Sequence, residues 1–386
     1  MTKGGPLSIH HSSFRIHHFF VTLHAKVTRV SVAHHSCIPT KGFAAMRFEF
    51  YHEGLTEVPK LSVDGTVENA LHLSHWAGNA TPEELRADTS TEIALNFVAS
   101  PRREEYARGV EVATNNHFDT DGVLSVWTVL AGGRALDLKA ALIPAAEAGD
   151  FSEFTGERAV RVSVAIQGGD NPFTGGAGSP LARRLAGAPV VNEARAYELV
   201  LPEVERLLTH TDEYESVWRD GWNEIASALE SFASGRSRVE EDVASGLSVV
   251  TLAHDVYGAR GFDPVRDGVP FTAITHNARG RVFLVAAPLA GGWSYRIDYP
   301  YYSWAETIVR PRVERRPLSD LLTRLNGLEP NGEGHWRADR SGLTSAAKYM
   351  DASKSPARSR LRPDEVAAEV RAALVSSRQP ATAPVA

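Results

Sequence analysis

The sequence predicts an α/β protein: a largely parallel sheet flanked by helices, followed by a second, smaller α/β domain. Three observations lead there. Gly109 to Thr114 alternates like a short strand, runs into the polar stretch Asn115 to Gly122, and continues into Gly- and Pro-free sequence that opens a helix. Residues 193–233 carry apolar positions at helical spacing. Beyond Glu240 the texture changes to short apolar strands between polar turns. A chain of 386 residues is long enough for two domains. The boundaries are expected at 46–240 for the first, 241–350 for the second, and 351–386 for a mostly disordered tail with one short helix.

Charged residues at 23% and hydrophobic ones at 43% are ordinary for a soluble globular chain. A net charge of -6 argues against a general nucleic-acid binder. Cys37 is the only cysteine, which excludes an internal disulfide framework and a Cys-based zinc site and fits a reducing cytoplasm. No apolar run approaches the ~20 residues of a membrane span, so no membrane partner is expected.

Residues 1–45 are unlike the rest, with seven of the fifteen histidines and no acidic residue. A targeting peptide or a metal-binding tract are alternatives. The preferred expectation is a disordered or loosely packed leader, with Met46 as the native start.

Along the folded part, Met46 to Tyr51 alternates as a strand. Thr81, Pro82 and Glu84 have the arrangement of a capping box opening a helix. Ile93 to Val98 is an apolar strand candidate behind Asp88, which suits a turn, a cap or a second-site metal ligand. His75 reads as a packed histidine beside Trp76. Leu136 to Gly149 is helical, with a kink or split expected at Pro144. The Gly-rich run 168–187 lacks a P-loop signature and suits a surface loop or a cover. Trp218, Trp222, Ile225 and Leu229 form a buried helical stripe.

In the second half, Ser248 to Ala253, Phe271 to Thr275, Arg281 to Ala287 and Ser294 to Asp298 read as strands. Helices are expected at Ser303 to Val309, Leu318 to Leu328 and Pro363 to Val375. His254 and Asp255 are a ligand or base pair by type, but adjacent strand residues face opposite sides.

The chemistry concentrates in His117, Asp119 and Asp121, spaced two apart and followed by Gly122. In an extended segment these side chains share one side, and at the end of a strand they would form a divalent-metal cradle. A polar turn in which Asp119 and Asp121 cap the next helix is the alternative. A calcium loop of the EF-hand type fails, because its last ligand would be Thr128 where Glu is needed.

The run His117-Phe118-Asp119-Thr120-Asp121-Gly122-Val123-Leu124-Ser125 resembles the first motif of the DHH phosphoesterase superfamily. That resemblance implies a two-metal phosphodiesterase or pyrophosphatase, with manganese or magnesium held by His117, Asp119 and Asp121 and catalysis centred on the two carboxylates. It also implies a later acidic ligand, for which Asp150 is the candidate; a loop residue at a helix end is its alternative. The Asp-His-His triplet of that superfamily has no counterpart in the chain. Gly332-Glu333-Gly334-His335 is similar to the phosphate-binding glycine-histidine element of the domain that follows many DHH domains. This implies substrate binding by Gly332, Gly334 and His335, with Arg312, Arg315, Arg316 and Arg337 as further phosphate contacts. The implied partner is a small phosphorylated molecule or a short oligonucleotide. A non-catalytic ligand-binding protein with a degenerate site is the competing expectation. The wider run also resembles an uncharacterised bacterial domain family.

Overall fold

Leu61, Val63, Leu73 and Ala113 are wholly buried, as expected of strands covered on both faces of a parallel sheet. They belong to a sheet of Arg47–Phe48 (β1), Lys60–Val63 (β2), Ala70–Leu73 (β3) and Val112–Thr114 (β4), ordered β1-β4-β2-β3 with every pair parallel. The computed structural model describes residues 46–169, 175–254, 270–329, 332–338 and 345–376. Outside them lie 1–45, with the expected leader, 170–174 of the Gly-rich run, 255–269, with Asp255, 330–331, 339–344 and 377–386. The register pairs Val63 with Leu73 and Ser62 with Thr114, so the carboxyl ends of β2, β3 and β4 share one edge.

Helices surround this sheet: Ser90–Ala99 (α1), Arg103–Tyr106 (α2), Thr120–Ala131 (α3), Gly133–Asp137 (α4), Lys139–Asp150 (α5), Glu157–Gln167 (α6), Pro180–Ala186 (α7), Glu193–Val200 (α8), Val204–Thr209 (α9) and Glu215–Ala233 (α10). Ile93 to Val98, expected as a strand, lies in α1. Thr89 caps that helix, accepting from the Glu92 N–H at 3.2 Å. Its apolar residues are buried nearly all round, a pattern that periodicity cannot separate from a buried strand. The helix expected after Thr81 is only a 3-10 turn, Glu83–Leu85. The Thr81 hydroxyl is engaged elsewhere, accepting from the Ser74 N–H at 3.0 Å and donating to the Ser74 carbonyl at 2.7 Å. Pro144 sits inside α5, and the break falls at Leu138 instead. On α10, Trp218 and Ile225 are buried as expected, and the Arg161 guanidinium lies 4.5 Å and 4.9 Å over Trp218 and Trp222.

The second sheet opens at Arg238–Asp242 (β5) and continues with Leu247–Thr251 (β6), Val282–Leu289 (β7), Gly292–Asp298 (β8), His335–Ala338 (β9) and Ser345–Met350 (β10). Its order is β5-β6-β7-β8-β10-β9, and only β6 and β7 pair in parallel. The chain is therefore α/β with one parallel and one mixed sheet. In β7 the side chains alternate between two cores. Val282, Leu284 and Ala286 meet the helices Ser319–Leu328 (α12) and Pro363–Ser376 (α13), while Phe283, Val285 and Ala287 meet Phe271–Asn277 (α11). Phe271 to Thr275, expected as a strand, is thus helical.

Two further expectations change. Ser303 to Val309 is not a helix but the 3-10 turn Tyr301–Trp304 followed by irregular chain. The N–H groups of Ile308, Val309 and Arg310 are donated to the Asp88 carboxylate rather than along a helix. The expected tail also belongs to the fold up to residue 376. Ser359 exchanges backbone hydrogen bonds with Trp293 at 2.9 Å and 2.8 Å, and Val366, Val370 and Leu374 of α13 are buried. Among the described residues no helix is long and apolar enough to cross a membrane.

Candidate metal centre

Open α/β sheets place ligands beyond the carboxyl ends of their strands. Here those ends deliver Asp64 directly after β2, His75 just after β3, and the segment Asn115 to Asp119 after β4. Asp64 adopts φ 59°, the left-handed region that few residues other than glycine enter. Such backbone persists where surrounding structure holds it, commonly at functional sites.

Six side chains meet at this edge in two groups that share Asp64. Ligand atoms of Asp64, His75, Asp121 and Asp150 lie within 4.8 Å of one another, as do those of Asp64, His117 and Asp119. His75 Nε2 is 3.1 Å from Asp150, 3.5 Å from Asp64 and 3.7 Å from Asp121. His117 Nε2 is 3.0 Å from the other oxygen of Asp64 and 3.1 Å from Asp119. These approaches lack hydrogen-bond alignment. Both oxygens of Asp64, both of Asp150, and Nε2 of each histidine are buried with no hydrogen-bond partner among the described residues. Buried polar atoms are nearly always paired, and this concentration of unpaired ones fits a site for a further group.

Neighbouring groups orient the ligands. His75 Nδ1 donates to the Asp88 carbonyl at 2.6 Å, and His117 Nδ1 donates to Asn116 Oδ1 at 3.1 Å. Each bond leaves Nε2 facing the cluster, the orientation that metal-binding histidines also adopt. Asp121 receives the Ser90 and Thr91 N–H groups at 2.7 Å and 2.8 Å, which fixes its carboxylate against the α1 N-terminus. Asp119 caps α3 by accepting from the Gly122 N–H at 2.8 Å, while its second oxygen faces His117. Asp119 thus caps α3 with one oxygen and lines the cluster with the other.

Four carboxylates and two imidazoles crowd the cluster and perturb one another. Burial and the Asp64 charge push Asp121 up to about 7. Burial, with the Asp119 and Asp121 charges, holds Asp150 well above the usual carboxylate range. Burial opposes charge on His75, yet Asp150, Asp121 and Asp64 raise it to about 10. His117 is raised well above its ordinary value against burial by Asp119 and Asp64. Asp64 is lowered against burial by His117 and then His75. Protons and imidazolium charges thus offset four carboxylates that two divalent cations would match in charge. The residues fit divalent ions: hard oxygen donors, two imidazoles and no thiolate.

The structure brings His117, Asp119, Asp121 and Asp150 together, although not on one strand. Residue β4 pairing stops at Thr114, Asp119 is the last extended residue, and Asp121 lies in the first turn of α3. Asp64 and His75 were not identified from sequence. His75 packs against Trp304 and Phe151, at ring-centroid distances of 5.0 Å and 5.9 Å, as expected of a packed histidine, and its Nε2 also faces the carboxylates. An Asp-Gly pair directly after the alternating segment Lys60–Val63 is the signal that could have exposed Asp64. Asp88 accepts three backbone N–H groups and the Arg310 guanidinium, and orients His75 through its carbonyl.

Gly332, Gly334 and His335 lie at the outer edge strand of the second sheet. A side chain at Gly332 would strike the Tyr349 hydroxyl, and one at Gly334 would strike Ala357 and the Met350 carbonyl. Close packing accounts for both glycines: the Gly332 N–H donates to the Glu329 carbonyl and the Gly334 N–H to the Tyr349 hydroxyl, each at 3.1 Å, and His335 is exposed. Arg316 donates to the Leu374 carbonyl at 2.8 Å, anchoring α13.

Fold and site together define an α/β protein with a buried carboxylate–imidazole cluster whose side chains could hold a metal ion. The chain belongs to a family of unknown function, DUF6687, whose model matches residues 45–384. Comparison with curated proteins found no match.

Proposed function

We propose that the chain is a divalent-metal-dependent hydrolase of a phosphodiester or pyrophosphate bond. The observation that carries this reading is Asp64, a buried carboxylate whose two unpaired oxygens face two separate ligand groups. His117, Asp119 and Asp64 would hold one ion; Asp64, His75, Asp121 and Asp150 would hold the other. Bound there, manganese or magnesium supplies Lewis acidity toward phosphoryl oxygens and acidifies a water to serve as nucleophile. The resemblance of His117 to Ser125 to the DHH motif supports the same assignment. The chain's own part is positioning. Asp88 and Asn116 fix the two imidazoles, Ser90 and Thr91 fix Asp121, and Phe151, Trp76 and Trp304 limit water around the cluster.

His117, with its side chain 26% exposed, is the most open of the six, so a small phosphorylated molecule or a strand end fits better than a continuous duplex. A cytoplasmic site of action is part of this reading, since one cysteine in the whole chain suits a reducing compartment. The burial of Asp64, His75, Asp121 and Asp150 favours a second reading, a non-catalytic binding protein stabilised by its ions. The deciding experiment measures metal content and manganese-dependent hydrolysis of a generic phosphodiester, pyrophosphate and short oligonucleotides, with Asp119→Ala as control. Activity lost in that variant supports the hydrolase. Metal without turnover on any of them supports the second reading, and absence of metal overturns both.

A further inference from the structure

Two tryptophans stand beside the cluster. Trp76 follows His75 after β3, and Trp304 ends the 3-10 turn that follows β8. Their rings meet at 4.6 Å between centroids; Trp76 also lies 5.1 Å from the His117 ring and Trp304 lies 5.0 Å from the His75 ring. The two indoles therefore cover both imidazoles. The loops that carry them are tied together. The Glu306 N–H donates to the His75 carbonyl at 2.8 Å, and the Glu306 carboxylate accepts from the Gly78 N–H at 3.2 Å and from Asn79 Nδ2 at 2.8 Å.

Both rings are only partly buried, yet both indole nitrogens are shielded from solvent and have no hydrogen-bond partner among the described residues. A partly exposed tryptophan ordinarily turns its N–H toward water or a protein acceptor. The indole N–H is a donor only, so its partner must supply a lone pair. Trp336 also has an unpaired indole nitrogen, but it is packed between Tyr295 and Tyr349 in the second sheet's core. Lack of a partner alone is thus no sign of a site; two unpaired donors on the rings that cover both histidines are.

We propose that Trp76 and Trp304 form the substrate-oxygen clamp of this site, their indole N–H groups donating to oxygens of a phosphoryl group seated over the cluster. The inference rests on the metal-dependent phosphoryl reading above and adds the residues that recognise the anion. One tryptophan follows the parallel sheet and the other the mixed sheet, so the clamp is completed only when the chain after residue 300 is in place. The pair act as binding and positioning residues, and their rings add shielding from water.

The test uses the full chain loaded with magnesium, a diamagnetic ion, and inorganic phosphate as the probe. Indole N–H resonances are followed by 15N–1H correlation spectroscopy, with Trp76→Phe and Trp304→Phe assigning two of the seven tryptophans. Phosphate should move these two resonances downfield. Calorimetry should show phosphate affinity weakened roughly tenfold in each variant, the scale of one lost charged hydrogen bond, while manganese affinity is unchanged. Phosphate saturation that leaves both resonances in place, or unchanged phosphate affinity in both variants, overturns the clamp. The wild-type titration decides the matter even where a variant folds poorly. Metal binding without phosphate binding overturns the clamp alone; failure to bind manganese or magnesium overturns the metal reading, and the clamp falls with it.

Discussion

One carboxylate oxygen of Asp64 lies 3.0 Å from His117 Nε2, while its other oxygen faces His75 Nε2 at 3.5 Å. A single side chain therefore belongs to both ligand groups, and it does so from a left-handed backbone position directly after β2.

Asp64→Asn keeps the shape of that side chain and removes its charge. Both proposed ion positions should suffer together, because the carboxylate is common to the two groups. Metal affinity should fall by more than about 100-fold, beyond the 10- to 100-fold typical of groups that merely support a ligand. Calorimetric titration with manganese checks this, and wild-type stoichiometry and affinity in the variant would refute the shared-ligand assignment.

Gly122 is surrounded by the cluster's supports. A Cβ there would lie 2.6 Å from Asn115 Nδ2, 2.7 Å from the Tyr197 hydroxyl and 3.0 Å from Asp64 Oδ2. Asn115 donates to the Tyr197 hydroxyl at 2.9 Å, so that pair cannot move aside freely. Gly122→Ala should lower stability by about 1–3 kcal/mol through overpacking and weaken metal binding as well. Denaturant midpoints and manganese titration read the two effects separately.

Arg310 joins Asp88, Glu147 and Glu153, with contacts of 2.8 Å, 2.8 Å and 2.7 Å. It fastens the segment after Trp304 onto the parallel-sheet half and stacks 4.6 Å over Phe151. Arg310→Ala leaves three carboxylates without their cation. The expected loss is about 3 kcal/mol, at the low end for breaking a buried ion pair because two of the acids are partly exposed. Urea unfolding measures it; a change within experimental error would mean that the segment is held by its apolar contacts.

Asp88 also makes stability depend on acid. Burial would raise its pKa, but the N–H groups of Val309, Ile308 and Arg310 and the Arg310 side chain hold it below its ordinary 3.8. A lowered folded value means the stabilisation is fully present above the unfolded pKa and disappears as pH falls through the folded one. Wild type should therefore lose this increment below about pH 4. In Asp88→Asn the increment is absent at neutral pH, so the two proteins should converge as pH falls. Unfolding curves at several pH values test it, and a difference that stays constant with pH would assign the effect to another group.

Gly334→Ala separates packing from phosphate recognition at the Gly-His element. A methyl group there collides with Ala357 and the Met350 carbonyl, so stability should drop by about 1–3 kcal/mol while phosphate affinity of the folded protein is retained. Lost phosphate affinity at unchanged stability would instead support the role suggested by the sequence resemblance.

Much of the site was legible because it is local. His117, Asp119, Asp121 and Gly122 lie within six residues, and the helix that Asp119 caps is written in the Gly- and Pro-free run behind it. The stripe on α10 and the alternation of Ser294 to Asp298 are likewise legible as periodicity. Periodicity failed where burial was all round, in α1 and α11, since a fully apolar run has no face to count.

Composition and local spacing thus determined the α/β class and one side of the cluster. Only the tertiary structure decided that Asp64 and His75 complete it, because parallel pairing of β2, β3 and β4 brings three distant strand ends to one edge. It also decided that Trp304 and Arg310, more than 150 residues downstream of Asp150, close over that edge. Register and long-range packing are set by summed burial across the whole chain, and no short window of sequence contains that sum.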